Sequence, residues 1–434
     1  MRKTLSDWLG WLESLHPKDI ELGLDRISVV AKRLDIFTRL KSSNTKVVTV
    51  AGTNGKGSCV ATMETFALAS GLTVGTYTSP HFLHFNERIR INAAMVSDDA
   101  LLRAFNVIEH ARESVSLTYF EYTTLAGLWI FCEADLDIWL LEVGLGGRLD
   151  AVNIIEPDVA VITSIALDHQ DWLGNDRETI GREKAGIMRA GAPAICVDLD
   201  PPNSIAGYAL DVGARLVSAG KSLNWSADDM SWQFSITQDH ADLRSISHYT
   251  SLPIPSLPMP SVVAGLQALA YVGVTFDRDQ VSRELKRLTL TGRNQQCWVS
   301  GRRIILDVAH NPAAAELLAT RLSTIPGSKA AIFAVMADKD IPGICRPLLP
   351  LIDQWVVAGL ENNPRAAASD DLQMQLAREG HGVDRCDTVR QAFERCIRNT
   401  LAGDTIVVFG SFYTVAEVLS IITAFSSESG DLNG

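Results

Sequence analysis

The order of apolar and polar positions predicts a strand, a loop and a helix near the start of the chain. Residues 46–51 form an apolar run typical of a buried strand, and a glycine-rich stretch follows at once. Gly71 is placed to end the next helix, and residues 72–77 begin another strand. The apolar positions on one face of that helix are Cys59, Met63, Phe66 and Ala67. The pattern therefore predicts a βαβ unit.

Strand and helix patterns continue to alternate after this unit. Strand-length apolar runs occupy residues 138–143, 159–165 and 194–197, and a helical pattern occupies residues 177–190. This alternation is typical of a doubly wound parallel sheet. Residues 231–237 and 243–252 instead resemble two short antiparallel strands. They form either a hairpin or an edge extension of the sheet.

The glycine-rich stretch has the composition of a phosphate-binding loop. Its glycines allow backbone N–H groups to turn toward phosphate oxygens, its lysine supplies a positive charge, and the following helix offers its N-terminus. The residues that would bind the phosphates are Gly52, Thr53, Asn54, Gly55, Lys56, Gly57 and Ser58. The usual pattern G-x-x-x-x-G-K-[ST] is not met, because Val50 replaces the first glycine and the hydroxyl comes one place late, at Ser58. The alternative is a tight turn with a solvated lysine.

A second domain follows a turn at residues 291–294. Helical patterns at 261–274 and 277–288 precede this turn. Beyond it, predicted strands at 304–308, 330–335, 354–358 and 405–409 interleave with predicted helices at 312–322, 370–379, 388–399 and 414–424. We therefore predict an α/β fold with a P-loop-type, doubly wound, mostly parallel sheet domain at residues 1–290. A smaller, Rossmann-like α/β domain is predicted at residues 291–434.

Composition narrows the class of protein. The hydrophobic fraction of the 434 residues is 47%, yet no apolar run reaches the roughly 20 residues of a membrane span. The start Met1-Arg2-Lys3 leads into an amphipathic stretch, so we expect a cytoplasmic protein without a membrane partner. The net charge of −12 argues against a nucleic-acid surface. The seven cysteines lack CxxC spacing and are expected to be reduced.

Polar groups follow several predicted strands, at the edge where doubly wound sheets bind ligands. Glu142 is either a magnesium ligand or half of a structural ion pair, and Ser79 is either a metal-binding hydroxyl or a turn residue before Pro80. His169 is either a metal ligand or a hydrogen-bonded loop residue, and Lys184 has the pattern of a solvated helix lysine. In the second domain, the polar residues that end the first strand are Asp307, His310 and Asn311. Pro312 opens the helix after them, which indicates a second half of a site.

Together these segments resemble the Mur ligase superfamily of ATP-dependent amide-forming enzymes. Within it they resemble the folylpolyglutamate synthases of the bacterial bifunctional dihydrofolate synthase type. The resemblance runs from about residue 5 to residue 419. It rests on the order and spacing of the segments 15–18 (LHPK), 52–58 (GTNGKGS), 78–81 (TSPH), 87–90 (ERIR), 142–150 (EVGLGGRLD), 307–312 (DVAHNP) and 410–412 (GSF).

The resemblance implies a two-step reaction. A folate-type carboxylate attacks the γ-phosphate of ATP, and the amino group of L-glutamate then displaces phosphate from the acyl phosphate. It also implies that Lys56 and the loop bind phosphates, that Ser79 and Glu142 bind one Mg²⁺, and that His169 with Glu142 binds a second. Lys184 matches a carbamylated lysine. Arg293, Asp307 and His310 match residues that contact ATP, with catalysis between the two domains.

The resemblance also suggests the substrates, namely dihydropteroate and reduced folates in addition to L-glutamate. The residues expected to bind the pterin are Thr118, Phe120, Gly147, Arg148 and Asp150, although Phe120 also fits a core position. We expect a monomer with both activities, and polyglutamylation alone is the alternative. The chain departs from the family at Ser261, where an asparagine usually helps to hold adenine, and at Thr291, where proline is common.

Two other functions remain open. A cell-wall Mur ligase acting on a UDP-sugar peptide shares the ATP chemistry but needs an N-terminal uridine-binding domain. The phosphate loop begins only about 50 residues into the chain, which leaves no room for one. A regulatory ATP-binding protein is the alternative from another class. The combination of Ser79, Glu142, His169 and Lys184 argues against it, because a binding protein has little use for two metal sites.

Overall fold

The computed structural model describes residues 4–429 except residues 17, 19, 229, 241, 242, 362 and 381. For residues 238–240, 243–245 and 425–429 it describes the backbone only. Pro17 of the 15–18 segment therefore lies outside the described residues. The chain divides into two compact units, Met1–Leu288 and Thr289–Gly434.

A mixed sheet forms the centre of the first unit. In the described chain its strands are β1 (Lys46–Ala51), β2 (Val74–Tyr77), β3 (Ile89–Ile91), β4 (Ala94–Met95), β5 (Ile138–Glu142), β6 (Val159–Ile162), β7 (Pro193–Cys196) and β8 (Arg215–Ser218). Their spatial order is β4-β3-β2-β5-β1-β6-β7-β8. Only the pairs β2–β3 and β3–β4 are antiparallel. The strands β2, β5, β6 and β7 are buried along their whole length, as expected for a sheet covered on both faces.

Helices supply that cover. In the described part of the first unit they are α1 (Leu5–Leu15), α2 (Asp25–Arg33), α3 (Ile36–Ser42), α4 (Lys56–Ala69), α5 (Asp98–Arg112), α6 (Tyr119–Ala134), α7 (Gln170–Leu173), α8 (Arg177–Ala185), α9 (Asn203–Val212), α10 (Met259–Tyr271) and α11 (Arg278–Arg287). The helix predicted at 177–190 ends at Ala185. Beyond Ala185 the chain leaves the helix. The Gly186 carbonyl there accepts hydrogen bonds from the side chains of Asn153 and Arg189.

The predicted strand pair of residues 231–252 forms a separate small sheet. Strands β9 (Asn224–Ala227), β10 (Trp232–His240) and β11 (Leu243–Leu252) pair antiparallel in the order β11-β10-β9. The hairpin is thus confirmed and the edge extension is wrong. The side-chain amide of Gln267 on α10 bonds both backbone groups of Thr237, at 2.8 and 2.7 Å, which fixes this sheet on α10.

The second unit contains its own sheet and core. Its described strands are β12 (Gln295–Val299), β13 (Arg302–Leu306), β14 (Lys329–Phe333), β15 (Gln354–Ala358), β16 (Val383–Cys386) and β17 (Thr405–Phe409), in the order β12-β13-β17-β14-β15-β16. Its described helices are α12 (Pro312–Leu322), α13 (Ile341–Cys345), α14 (Ser369–Arg378), α15 (Val389–Asn399) and α16 (Phe412–Ser429). Only β12 runs antiparallel to its neighbour. The predicted class, two α/β domains with mostly parallel sheets, is confirmed.

Two expectations from composition can be compared with the fold. All seven cysteines are free thiols, and five of them are buried. Among the residues that the structure describes, no helix is both long enough and apolar enough to cross a bilayer.

Candidate functional site

Four strand ends converge at the carboxyl edge of the first sheet. The strands β2, β5, β1 and β6 are neighbours in this order, and all four run parallel. Glu142, the last residue of β5, pairs with Val50 on β1. The glycine-rich loop leaves β1 two residues later. Glu142 and the loop therefore start from the same point of the sheet, where ligands bind in doubly wound folds.

The loop needs its glycines for both backbone conformation and space. Gly52 and Gly55 have φ angles of +146° and +90°, which side chains of L-residues rarely allow. A Cβ atom on Gly52 would lie 1.8 Å from Thr163 Oγ1, and one on Gly55 would lie 2.4 Å from Ser261 Oγ. Helix α4 then begins at Lys56. The loop thus approaches its neighbours as closely as bare backbone permits and presents a helix N-terminus, which suits an anionic ligand.

The segment after β6 holds the loop in place. Thr163 Oγ1 donates to the Asn54 carbonyl at 2.7 Å, and the Thr53 N–H donates to the Ser164 carbonyl at 2.6 Å. The Asn54 N–H donates to Ser164 Oγ at 3.1 Å. These contacts also end β6 at Ile162, earlier than predicted, because the backbone turns to bond the loop. Sequence reasoning did not select Thr163 or Ser164, although two hydroxyls directly after a strand were an available signal.

Two lysines meet at one carbonyl of the loop. Lys56 Nζ and Lys184 Nζ each donate to the Gly52 oxygen at 3.0 Å. The expectation of a solvated helix lysine is wrong for Lys184, whose exposed fraction is only 4%. Burial and the nearby charge of Lys56 lower the pKa of Lys184 from 10.5 to about 7, although Asp168 and Asp150 oppose this. Close to neutral pH, a substantial fraction of Lys184 is therefore the neutral amine.

The predicted metal residues lie on the same edge but differ in how far they are prearranged. Glu142 is buried, and the Ser79 N–H approaches its Oε2 atom at 3.4 Å. His169 immediately precedes α7, seven residues beyond the end of β6, with left-handed backbone and its Nε2 atom 4.0 Å from Asp168 Oδ2. Within the described residues, no group of three or more His, Cys, Asp or Glu side chains is arranged to hold a metal. A buried carboxylate and a neighbouring serine suit one Mg²⁺ that takes its other ligands from phosphates and water.

The predicted pterin loop packs directly on the helix that carries Lys184. A Cβ atom on Gly147 would lie 2.8 Å from the Glu183 carbonyl and 3.0 Å from Lys184 Cα. Arg148 forms an ion pair with Glu183, with Nη2 2.8 Å from Oε1. The Asp150 carboxylate accepts the N–H groups of Leu145 and Val152 at 2.8 and 3.0 Å. Burial raises the pKa of Asp150 to about 6 in spite of these bonds. Asp150 therefore stabilises the conformation of the 144–150 loop through backbone hydrogen bonds.

The two predicted pterin residues at the start of α6 have different surroundings. Thr118 caps the helix, since its Oγ1 accepts the Glu121 N–H while the Glu121 carboxylate accepts the Thr118 N–H. Phe120 is half-buried, and a Cβ atom on Gly144 would lie 2.5 Å from its ring. Phe120 thus packs against the first glycine of the 144–150 loop. The ring borders the loop, which keeps a stacking role open, whereas the Thr118 hydroxyl already accepts a bond in the cap.

The three predicted nucleotide residues of the second unit lie together within that unit. The Asp307 carboxylate accepts the N–H groups of Asn294 and Ala309 at 2.8 and 3.0 Å, and burial raises its pKa against the opposing effects of Arg293 and Arg321. The Arg293 guanidinium lies over the Phe412 ring at 5.0 Å, and the His310 ring lies 6.4 Å from the same ring. Sequence reasoning selected Phe412 only as part of a motif. Asn311 caps α12 by accepting the Ala314 N–H.

A glycine-rich loop that leads from a central parallel strand into a helix, with a lysine at the helix start, defines a nucleotide-binding protein of the P-loop class. Comparison with known proteins places the chain more narrowly. Residues 287–412 match the family described as Mur ligase, glutamate ligase domain. The dihydrofolate synthase/folylpolyglutamate synthase of Escherichia coli K12 is 44% identical over 422 residues, which cover 97% of this chain and 96% of that protein.

Solved structures agree with this relationship. Escherichia coli FolC in complex with DHPP and ADP is 42% identical, covers 98% of both chains and superposes with a TM-score of 0.90. A bifunctional folylpolyglutamate synthase/dihydrofolate synthase with Mn, AMPPNP and L-glutamate bound is 40% identical, covers 97% of this chain and 98% of its own, and gives a TM-score of 0.87. The chain therefore belongs to the bifunctional dihydrofolate synthase/folylpolyglutamate synthase family of the Mur ligases.

Proposed function

We propose that this chain is an ATP-dependent ligase that adds L-glutamate to dihydropteroate and to reduced folates. Family membership supports the reaction type. The observation that carries the proposal is the meeting of Lys56 and Lys184 at the Gly52 carbonyl, with Lys184 buried. A protein that only binds a nucleotide needs the loop lysine. It has no need of a second, buried lysine whose pKa is lowered to about 7.

The chemistry assigned to these residues is acyl activation followed by amide formation. A substrate carboxylate oxygen bonds to the γ-phosphorus of ATP while the bond to ADP breaks, which gives an acyl phosphate. The glutamate amino group then bonds to the acyl carbon, loses a proton and displaces inorganic phosphate. Negative charge gathers on the transferred phosphoryl group in the first step, and the N–H groups of the loop and the Lys56 ammonium are suited to stabilise it.

Divalent metal would supply further charge neutralisation at the phosphates. Glu142 and Ser79 are the residues suited to hold one Mg²⁺, because a buried carboxylate stands beside a serine next to the loop. We assign a second Mg²⁺ to His169 and Glu142. This pair offers few protein ligands, so a further anionic oxygen from the chain would complete it.

Lys184 is the residue we propose as the source of that oxygen. Its neutral amine attacks CO₂, a C–N bond forms, and one proton leaves to water, which yields a carbamate anion. The lowered pKa of about 7 provides the neutral amine, which an ordinary lysine lacks at neutral pH. Lys56 and a neighbouring metal would then stabilise the anion.

We assign the pterin to the face bordered by Phe120, Gly147 and Arg148, and the phosphates of the nucleotide to the loop. In the second unit, Arg293, Asp307 and His310 stay predicted ATP contacts. Asp150 supports the pterin loop through its backbone bonds. Ser261 lies against Gly55, so the adenine contacts expected from asparagine in the family do not carry over to this residue directly. The cytoplasmic location and the monomeric state stay predictions.

ADP release with different acceptors tests the function. We expect glutamate-dependent ADP release with dihydropteroate and with tetrahydrofolate, and none with a UDP-sugar peptide. Release with tetrahydrofolate alone would restrict the function to polyglutamylation. ATP binding without any acceptor-dependent release would instead make the chain a nucleotide-binding regulator.

Carbon-13 NMR tests the carbamate separately. We expect a carbamate resonance when wild-type protein is equilibrated with ¹³C-labelled bicarbonate and Mg²⁺, and none in Lys184→Ala. A short carboxylate added to Lys184→Ala is expected to restore part of the rate by replacing the lost anion. An active wild-type enzyme without this resonance would remove the carbamate from the mechanism.

A further inference from the structure

The backbone of one residue beside the phosphate loop, Ile165, is held at both its N–H and its C=O group by a charged pair. The Ile165 N–H donates to Asp198 Oδ2 at 2.6 Å, and the Ile165 carbonyl accepts from Arg177 Nε at 2.9 Å. Arg177 Nη2 lies 3.4 Å from Asp198 Oδ1, which links the two side chains. Asp198 follows β7 and Arg177 begins α8. The pair thus ties a connecting segment to two regular elements of the sheet domain.

The segment that this pair fixes is the one that holds the phosphate loop. Ser164 and Ala166, on either side of Ile165, both bond Thr53 of the loop. The Thr53 N–H donates to the Ser164 carbonyl at 2.6 Å, and the Ala166 N–H donates to Thr53 Oγ1 at 3.0 Å. A shift of the Ile165 backbone therefore moves the neighbouring Ser164 and Ala166 groups that bond the loop.

The same pair also governs the start of helix α8. Arg177 is the first residue of α8, and Lys184 lies two turns further along the same helix. Rotation of the Arg177 end would change the direction in which α8 presents Lys184 to the Gly52 carbonyl. One ion pair thus connects the loop that contains Lys56 with the helix that contains Lys184.

Of the two carboxylates that pair with Arg177, the buried one on Asp198 is expected to contribute most of the stabilisation. The Asp198 side chain is 10% exposed, whereas the Asp200 carboxylate that also pairs with Arg177 is 92% exposed. Exposed ion pairs contribute little, but loss of one partner leaves a buried carboxylate such as Asp198 without its counter-charge. Asp198 also accepts the Asp200 N–H at 2.9 Å, so its carboxylate is oriented from a second side.

We propose that Arg177 and Asp198 are positioning residues for the ligase reaction, acting through the Ile165 backbone on the phosphate loop. The two side chains bond the Ile165 backbone and each other, and their proposed effect on the reaction is therefore indirect. The inference rests on the proposed function for its catalytic consequence. Its structural part, the dependence of the loop on the pair, is independent of which substrates the protein uses.

Hydrogen exchange in the nucleotide-free protein tests the structural part. In Arg177→Met, amides of residues 52–55 and 163–169 are expected to exchange about tenfold faster than in wild type, because a charge-assisted bond is lost locally. Arg182→Met is the matched control on the same helix, since Arg182 is exposed and pairs loosely with Asp211 at 3.9 Å. Unchanged exchange at residues 52–55 in Arg177→Met would overturn the proposal, and so would an equal increase throughout the chain.

Kinetics test the catalytic part. We expect Arg177→Met to raise KM for ATP and to lower kcat about 100-fold while KM for glutamate stays constant, because misplaced phosphate-binding groups act on the nucleotide step. Arg177→Lys and Asp198→Asn keep size and part of the bonding and are expected to be intermediate, so they also serve if Arg177→Met does not fold. A uniform loss in which all parameters follow the folded fraction would overturn the positioning role. An inactive wild-type protein would count against the ligase function and leave the exchange result standing.

Discussion

Burial and a second lysine give Lys184 a property that ordinary lysines lack. Its pKa is lowered to about 7 in the folded chain, against 10.5 for a lysine in water. The unfolded state therefore binds the proton more tightly than the folded state does. The stability contributed by this site is fully present above about pH 10.5 and is lost as the pH falls toward about 7. The residue proposed for catalysis is thus also a source of instability near neutral pH.

Substitution of Lys184 by a neutral residue is accordingly expected to stabilise the fold. In CO₂-depleted buffer, Lys184→Met should exceed wild type in unfolding free energy near pH 7, and the difference should shrink by about 1.4 kcal/mol per pH unit toward alkaline pH. Urea unfolding at several pH values measures this, with Lys46→Met as the exposed-lysine control. A difference that does not change with pH would contradict the lowered pKa.

Lys56 is expected to matter for rate and little for folding. Its ammonium bonds the loop carbonyls of Gly52 and Thr53, and its side chain is half-buried and fills no core position. Lys56→Ala should therefore keep the circular dichroism spectrum of wild type and lose at least about 100-fold in kcat, because it removes charge stabilisation of the transferred phosphoryl group. Lys46→Ala, at the exposed opposite end of β1, is the control. Wild-type ADP release by folded Lys56→Ala would refute the phosphate-loop assignment.

At the scale of single residues, the sequence predicted which residues belong to the site better than it predicted how buried they are and what they contact. The loop glycines could be selected from the sequence because their conformational need is intrinsic. The burial of Lys184 could not be, because it follows Arg182 and Glu183 in a polar helix and is covered by the distant 144–150 loop. Thr163 and Ser164 were missed for a related reason. Their partners lie about 110 residues earlier in the chain.

Among the elements, the 144–150 loop contacts helix α8 through its backbone as well as through the Arg148–Glu183 ion pair. Gly147 faces the backbone of Glu183 and Lys184, and the Arg148 N–H donates to the Glu183 carbonyl at 2.8 Å. Backbone groups cannot move aside as side chains do. The position of α8, and with it that of Lys184, depends on this glycine.

Gly147→Ala is therefore expected to disturb activity through packing. The added methyl group must separate the loop from α8, which should cost about 1–3 kcal/mol of stability and lower kcat about 100-fold by displacing Lys184. Gly207→Ala on α9 is the matched control, because a Cβ atom there meets nothing within 4 Å. Thermal unfolding and ADP release measure both effects. Equal behaviour of the two variants would show that the close contact is unimportant.

Four predicted strands, β1, β11, β15 and β17, have the observed bounds. For β1, β15 and β17 the signal was a largely apolar run that is buried beyond its first residue. Strand β12 was missed because every residue of its sequence Gln-Gln-Cys-Trp-Val is partly or fully exposed at the edge of its sheet. Strand β16, another edge strand, was missed for a similar reason, since three of its four residues are partly or fully exposed.

For the whole molecule, the predicted division into two α/β parts follows from two separate sets of buried strands. Each unit has its own sheet and its own hydrophobic core. Along the sequence, the boundary between the observed units falls between residues 288 and 289. The second unit thus begins two residues before the turn that marked the predicted boundary. The functional labels of the two units stay predictions, because they depend on ligands.

The thiol content of the whole chain provides a further prediction. Seven thiols should react with Ellman's reagent in denaturant without added reductant, since all seven cysteines are free. In the native protein only Cys132 and Cys297, the half-buried pair, should react within the assay, and slowly, because burial raises the pKa of each thiol. Fewer than seven thiols in denaturant would reveal a disulfide and contradict the structure.

The distribution of these thiols has a practical use. Cys132 lies in the first unit and Cys297 in the second, and the other five cysteines are buried. The natural sequence thus carries one attachment point for a fluorophore on each unit. Donor and acceptor dyes at these two sites would report the distance between the units during turnover without the introduction of any cysteine.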